Sequence, residues 1–264
     1  MSADRRTARP ARRPSCLGAL FASCLAVLLG GCRGGEAAAD TAAEAAAPEL
    51  AIFVYDRSMS IPDYKLELAR ELTARRIATL HHGDRIAGLQ VLQRSLAEPP
   101  LRWSQEIPHR EFEEKKVAQD SVTLRRFQKD ASDYLRSFSE PEGRETIMGT
   151  DLLSTFHDVA EELRGAPGRR ATMYLFSDML QSTPEIDMEG MRRMPEAGWV
   201  QAAAARGVLP DLRGLCVVVV GARVDTDPAQ QIKSFWEEYF AATGARLEDR
   251  NYMLRPIRLP EDPC

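Results

Sequence analysis

The chain has 264 residues, 44% hydrophobic and 28% charged with ordinary amounts of Gly and Pro, a globular composition long enough for one large domain or two small ones. Its 39 acidic against 35 basic side chains do not favour nucleic acid, whose affinity for proteins rests on neutralised phosphates. Beyond the first 32 residues no run is long and apolar enough to cross a membrane.

Residues 1–32 carry the pattern of a targeting segment. Arg5, Arg6, Arg9, Arg12 and Arg13 form a basic start, and the apolar run from Cys16 to Leu29 is short for a spanning helix. It ends in Leu29-Gly30-Gly31-Cys32, which resembles the lipobox of bacterial lipoprotein signal peptides. That resemblance implies a signal peptide of residues 1–31, cleavage before Cys32, and a diacylglycerol on the Cys32 thiol that anchors the chain in the cell envelope. An uncleaved anchor, or an ordinary signal peptide cut elsewhere, is the alternative. Arg33 stands where inner-membrane retention signals usually carry Asp, which points to the outer membrane in a host with two membranes. Loss of residues 1–31 removes five Arg and one Asp, leaving 30 basic and 38 acidic side chains and a formal charge of −8. Residues 33–48, rich in Ala, Glu and Gly and closed by Pro48, bury little surface and read as a tether behind Cys32. One domain, 49–264, follows, without internal repeats.

Within it strand-like and helical patterns alternate. Leu50 to Tyr55 is a short apolar run, as in a strand buried on both faces. Tyr64 to Leu80 places Leu66, Ala69, Leu72 and Ile77 near helical spacing, with Arg70, Arg75 and Arg76 expected outside. Arg85 to Leu92 is the next strand, after a Gly83-Asp84 turn, and residues 98–108 hold a short edge strand. Phe112 to Phe138 reads as a surface helix or helix pair, Ser139 to Arg144 as a loop, and Asp151 to Leu163 as a helix ended by Gly165 to Gly168. A strand over Thr172 to Ser177, a Met- and Pro-bearing loop over 179–195, and a helix from Trp199 follow. Leu215 to Ala222 is the clearest buried strand, and Asp227-Pro228 opens a helix that closes near Thr243-Gly244. The last strand is expected within Tyr252 to Ile257. This order predicts an α/β fold, doubly wound, with a mostly parallel central sheet flanked by helices. Ligand sites in such sheets form outside the carboxyl ends of the strands.

Cys216 and Cys264 remain after the leader and Cys32 are set aside. An exported compartment permits them to pair, although Cys216 also reads as a small buried hydrophobe opening a strand. No CxxC or Cys/His spacing points to zinc.

The chemistry-bearing residues gather at strand ends. Asp56-Arg57-Ser58-Met59-Ser60 follows the first strand, and in an extended loop residues 56, 58 and 60 project to one side. Thr150 precedes a helix behind Gly149, and Asp178 ends the strand that closes with Ser177. Two carboxylates and three hydroxyls suit a hard cation such as Mg²⁺, with water in the remaining positions. Asp56-x-Ser58-x-Ser60, Gly149-Thr150 and Ser177-Asp178 resemble, in order and in placement, the metal-ion-dependent adhesion site of von Willebrand factor A domains. The resemblance spans about residues 49–257. It implies that Ser58, Ser60 and Thr150 ligate Mg²⁺ (or Mn²⁺ or Ca²⁺) directly, and that Asp56 and Asp178 do so directly or through water. One position is then open for a carboxylate on a protein partner. The chain departs from the family at Met59, where Gly is common and loop packing is expected to change, and in the long stretch from Leu92 to Thr150.

Simpler readings compete. Asp and Ser also favour turns and caps, so the loop alone is a turn cluster. Asp151 and Glu145 flank Thr150, where Asp151 favours a helix N-terminus. His81, His82 and His157 read as surface residues, and Trp236, Tyr239 and Phe240 as core. Met188, Met191 and Met194 form either an adaptable contact surface or a packed loop. The functional reading is a non-enzymatic binding module on a lipid-anchored envelope protein. The alternatives are a structural envelope component with a non-exchanging or degenerate site, and a metal-dependent hydrolase with Asp56 as nucleophile. The last lacks the second Asp expected at position 58 and any Gly-rich phosphate loop.

Overall fold

The computed structural model describes residues 47–93, 102–109, 117–140, 149–260 and 262–264; the leader, Cys32, most of the tether and Glu145 lie outside the described residues. Strand β1 (Glu49–Asp56) is buried along its whole length. Alternation sends Leu50, Ile52 and Val54 into one core and Ala51, Phe53 and Tyr55 into the other, so β1 is covered on both faces.

Helix α1 (Asp63–Ile77), β2 (Arg85–Val91), the short β3 (Arg102–Glu106) and α2 (Val117–Arg136) follow. Then come α3 (Leu152–Arg164), β4 (Arg170–Phe176), α4 (Trp199–Ala205), β5 (Leu215–Val220), α5 (Asp227–Thr243) and β6 (Arg246–Met253). The six strands lie in the order β3-β2-β1-β4-β5-β6, all parallel except β3, which pairs antiparallel with β2 at the edge. Ala69, Leu72 and Ile77 of α1 and residues Ala131, Leu135 and Phe138 in and just beyond α2 cover one face of the sheet. Helices α3, α4 and α5 cover the other through Phe156, Val200, Trp236 and Phe240. The expected doubly wound α/β architecture is therefore present, and the strand order reverses direction between β1 and β4. A crevice opens at such a switch point, outside the carboxyl ends of the two strands.

Several local expectations are corrected. Arg76 is buried, not outside: it pairs with the Glu49 carboxylate and donates to Tyr174 Oη at 2.7 Å. The last turn of α1 lies over the start of β1, where a charged strand residue needs a partner. The segment ending at Phe138 is more than a surface element. A Cβ on Gly88 would come within 2.1 Å of Leu135 Cδ2, so the glycine is what lets α2 sit directly on β2. The last strand runs from Arg246, earlier than expected. Its first half, Arg246 to Arg250, is mostly charged and faces solvent at the sheet edge, so it lacks the apolar signature of the inner strands. Cys216, at the start of β5, and Cys264 are joined in a disulfide with their Cα atoms 5.9 Å apart. Trp236, Tyr239 and Phe240 lie in the core as expected.

Candidate metal centre

The loop after β1 does not continue extended. The Asp56 carboxylate turns back and accepts the Ser58 backbone N–H at 2.9 Å, and the Ile61 N–H closes a turn onto the Ser58 carbonyl at 3.0 Å. The apolar Ile61 side chain goes into the protein. The turn gives the outcome that the extended loop was expected to give by another route: the Ser58 and Ser60 hydroxyls are 3.0 Å apart. Met59 is 62% exposed, so the residue in the place of the common Gly packs against nothing in the core.

The second carboxylate arrives from β4. Ser177, directly after the strand, donates its hydroxyl to the other Asp56 oxygen at 2.7 Å and accepts the Met179 N–H at 2.9 Å. Asp178 accepts hydrogen bonds from the Ser60 hydroxyl and the Leu180 N–H. Met179 then adopts a left-handed conformation (φ 67°), which is costly for a residue with a side chain. It is held there because its side chain is buried and its carbonyl accepts the Trp236 indole N–H at 2.8 Å. Gly221 is equally constrained. Its φ is 113°, and a Cβ there would stand 2.9 Å from the Ser177 carbonyl.

Thr150 comes in from the third side. Its N–H and carbonyl exchange hydrogen bonds with Ser182 at 3.0 and 2.9 Å, a single antiparallel bridge that ties the start of α3 to the loop after β4. Gly149 permits this approach, since a Cβ would meet the Ser182 carbonyl at 2.7 Å. Asp151, expected to favour the helix N-terminus through its charge, stands at the start of α3 and also caps it by accepting the Ser154 N–H at 3.1 Å. The buried Gln181 side chain accepts the Leu152 N–H at 2.8 Å and donates to Asp151 at 3.2 Å.

The structure thus brings all five residues to one place. Ser58, Ser60 and Thr150 line a single cleft of about 160 Å³ with Met59, Gly149, Leu180, Ser182 and Glu189. Asp56 and Asp178 attach to it through Ser58 and Ser60. Burial, and then the neighbouring Asp56 charge, push the Asp178 carboxyl up to about 6, against hydrogen bonds from Ser60 and Leu180 and the positive charge of Lys65. Two neighbouring carboxylates therefore resist joint ionisation beside the Ser58 and Ser60 hydroxyls. Among the described residues no group of three or more His, Cys, Asp or Glu side chains is placed to hold a metal, and the set here contains two carboxylates only.

Ser177, Gln181 and Trp236 are the supporting residues that the pattern in the sequence did not assign. Ser177 adjoins Asp178 in the quoted pair, but its bond to Asp56 joins residues 121 apart. Met188 is buried, and Met191 and Met194 pack partly against the core, so the 179–195 loop is the packed alternative. His157 is half-buried on α3. A larger cavity of about 1230 Å³ lies at the opposite edge of the sheet, around His81, His82, Asp84 and His109. His82 is bonded to the Pro108 carbonyl and His109 to Glu106, so the histidines there serve separate partners.

No protein-family model and no curated protein matches the chain. Solved structures similar to it include proximal thread matrix protein 1 from the mussel byssus (11% identity, TM-score 0.39, over 74% of this chain and 41% of that one). The human COPII-coat protein Sec24c is another (14%, TM-score 0.42, 81% and 30%). A von Willebrand factor type A structure from Catenulispora acidiphila is a third (16%, TM-score 0.33, 75% and 43%). The chain spans less than half the length of each of these.

Proposed function

We propose that this is a non-enzymatic, lipid-anchored protein of the bacterial cell envelope, on the outer membrane where the host has two. Its α/β domain binds a divalent cation through Asp56, Ser58, Ser60, Thr150 and Asp178, and through the cation a carboxylate on a protein partner. The observation that carries the proposal is the meeting of two serine hydroxyls 3.0 Å apart with the buried Asp56 and the partly buried Asp178 carboxylates at the β1/β4 switch point. Hydroxyls and carboxylates, with no His or Cys among the described residues lining the cleft, select Mg²⁺, Mn²⁺ or Ca²⁺ over softer metals. A cation held by these residues would supply the positive charge that a partner's carboxylate needs. The protein's part is to fix the donors: Ser177 and the Ser58 N–H orient Asp56, Trp236 holds the turn beside Asp178, and Ser182 fixes Thr150. The lipid anchor rests on the Leu29-Gly30-Gly31-Cys32 sequence, and the Cys216–Cys264 disulfide supports an oxidising compartment.

Calorimetry of the full chain in detergent with Mg²⁺, Mn²⁺ and Ca²⁺ tests the site. Saturable binding is expected for the native chain and none for the Asp56→Ala, Asp178→Ala double variant. Equal binding by both would remove the assignment. Labelled palmitate should enter the native chain and not a Cys32→Ala variant.

A further inference from the structure

Glu189 lines the same cleft and stands outside the five-residue set. A volume of about 160 Å³ corresponds to roughly five waters at ~30 Å³ each. Glu189 is not carried on a loose segment. Its N–H donates to the Asp187 carboxylate at 3.2 Å, Asp187 is bridged to both Ser182 and Arg193, and Ser182 is bridged in turn to Thr150. Met188, the preceding residue, is buried. The backbone of Glu189 is thus tied through successive bridges to one of the hydroxyl donors.

Its side chain is 54% exposed and paired with Arg192, itself 59% exposed. That pairing depends on a sharp reversal of the chain, since Gly190 and Met191 are both left-handed (φ 60° and 58°). Arg192 also lies 3.6 Å from the Asp187 carboxylate, so it has a second acceptor if Glu189 leaves. An exposed pair of this kind is weak and readily exchanged for a stronger partner.

We propose that Glu189 is the chain's own ligand for the coordination position otherwise open to a partner's carboxylate, with Arg192 holding it back when no cation is bound. This rests on the cation-site reading given above. With a cation present, Glu189 competes with any external carboxylate, and a partner must displace it. Occupancy of the position by Glu189 for nine-tenths of the time lowers the apparent affinity for an outside carboxylate about tenfold.

The test uses the full chain in detergent with Mn²⁺ alone as probe, read by water-proton relaxation, and acetate as the competing carboxylate. Glu189→Gln should raise the relaxation of bound Mn²⁺ by exposing an exchangeable water. Acetate should then suppress that signal at about tenfold lower concentration than in the native chain. Arg192→Ala, which frees Glu189, should lower relaxation. Both substitutions are at exposed positions and leave the core untouched. Mn²⁺ binding with relaxation and acetate response unchanged in Glu189→Gln overturns the proposal and leaves the five-residue site standing. Absence of Mn²⁺ binding to the native chain overturns both.

Discussion

The two edges of the sheet treat buried carboxylates in opposite ways. At the amino-terminal edge Glu49 is matched from within: Arg76 pairs with it, Arg170 lies 3.7 Å away, and Asp84 accepts its N–H at 2.7 Å. The disulfide closes the same edge, holding the Cys264 sulfur near the Arg246 carbonyl at the start of β6. At the carboxyl-terminal edge Asp56 and Asp178 are held by hydroxyls and backbone N–H groups, and Asp178 is driven up to about 6. A guanidinium completes the charge at one end. At the other, hydroxyls and backbone N–H groups hold the two carboxylates, and the Lys65 charge acts on Asp178 against burial and the Asp56 charge.

The largest effect should therefore come from the amino-terminal edge. Arg76→Met leaves the Glu49 charge without its main partner, and loss of one member of a buried pair costs about 3–5 kcal/mol. Urea unfolding should show that loss with and without Mg²⁺ alike. A cost below about 1 kcal/mol would remove the contrast between the edges. Next in size, the Cys216→Ala, Cys264→Ala variant gives up the constraint of a crosslink across 48 residues, a loss of about 2–4 kcal/mol. Cation affinity should be unchanged in it, because the crosslink lies at the other end of β5.

The carboxyl-terminal edge makes a prediction of the opposite sign. The folded Asp178 holds its proton more tightly than an unfolded Asp, from 3.8 up to about 6. Its ionisation between about pH 4 and 6 therefore costs the cation-free protein stability as pH rises. In chelator, Asp178→Asn should gain on the native chain between pH 4.5 and 7 by a few °C in Tm, at roughly 2–4 °C per kcal/mol for a chain of this size. Added Mg²⁺ should reverse the order at pH 7, raising the native Tm and leaving the variant unmoved. Cation affinity of the native chain should fall as pH drops through about 6. A variant that loses stability in chelator at pH 7 would mean that Asp178 is already neutralised from within.

The contrast also explains what could be read from the sequence. Inner strands announce themselves because both faces are buried: Leu50 to Tyr55 and Leu215 to Val220 are almost wholly apolar. From their order with the helices the doubly wound sheet follows, and from that the edge where the site stands. The shared placement of Asp56, Ser58, Ser60, Thr150 and Asp178 is legible because each stands in sequence at or just beyond a strand end or before a helix start. Arg76 was not, because helical spacing marks it as outward, and its partner Glu49 lies 27 residues away at the far end of a strand. The charged start of β6 failed for a related reason: an edge strand exposes what an inner strand buries. The turn at Ser58 was hidden because Asp-x-Ser is compatible with either an extended or a turned loop, and the Asp56 acceptor decides between them.

The smallest effect separates donors from the groups that aim them. Ser177 touches neither the cleft nor its hydroxyls, yet its 2.7 Å bond to Asp56 and its acceptance of the Met179 N–H set one carboxylate against the other. Ser177→Ala removes that orientation while every proposed donor stays in place. Partners of metal ligands typically contribute 10–100-fold in affinity. Calorimetry should find Mn²⁺ binding weakened by about that factor with stoichiometry unchanged. Stability should fall by about 1–3 kcal/mol for the Met179 N–H and Asp56 oxygen left without the hydroxyl. Ser177→Thr, which keeps the hydroxyl, should recover most of the affinity. Recovery by Thr and not by Ala ties the effect to the hydrogen bond. Equal affinity in all three chains would mean that the turn after β1 alone orients Asp56, through the Ser58 N–H, and that the carboxyl-terminal edge is as self-sufficient as the edge built on Arg76.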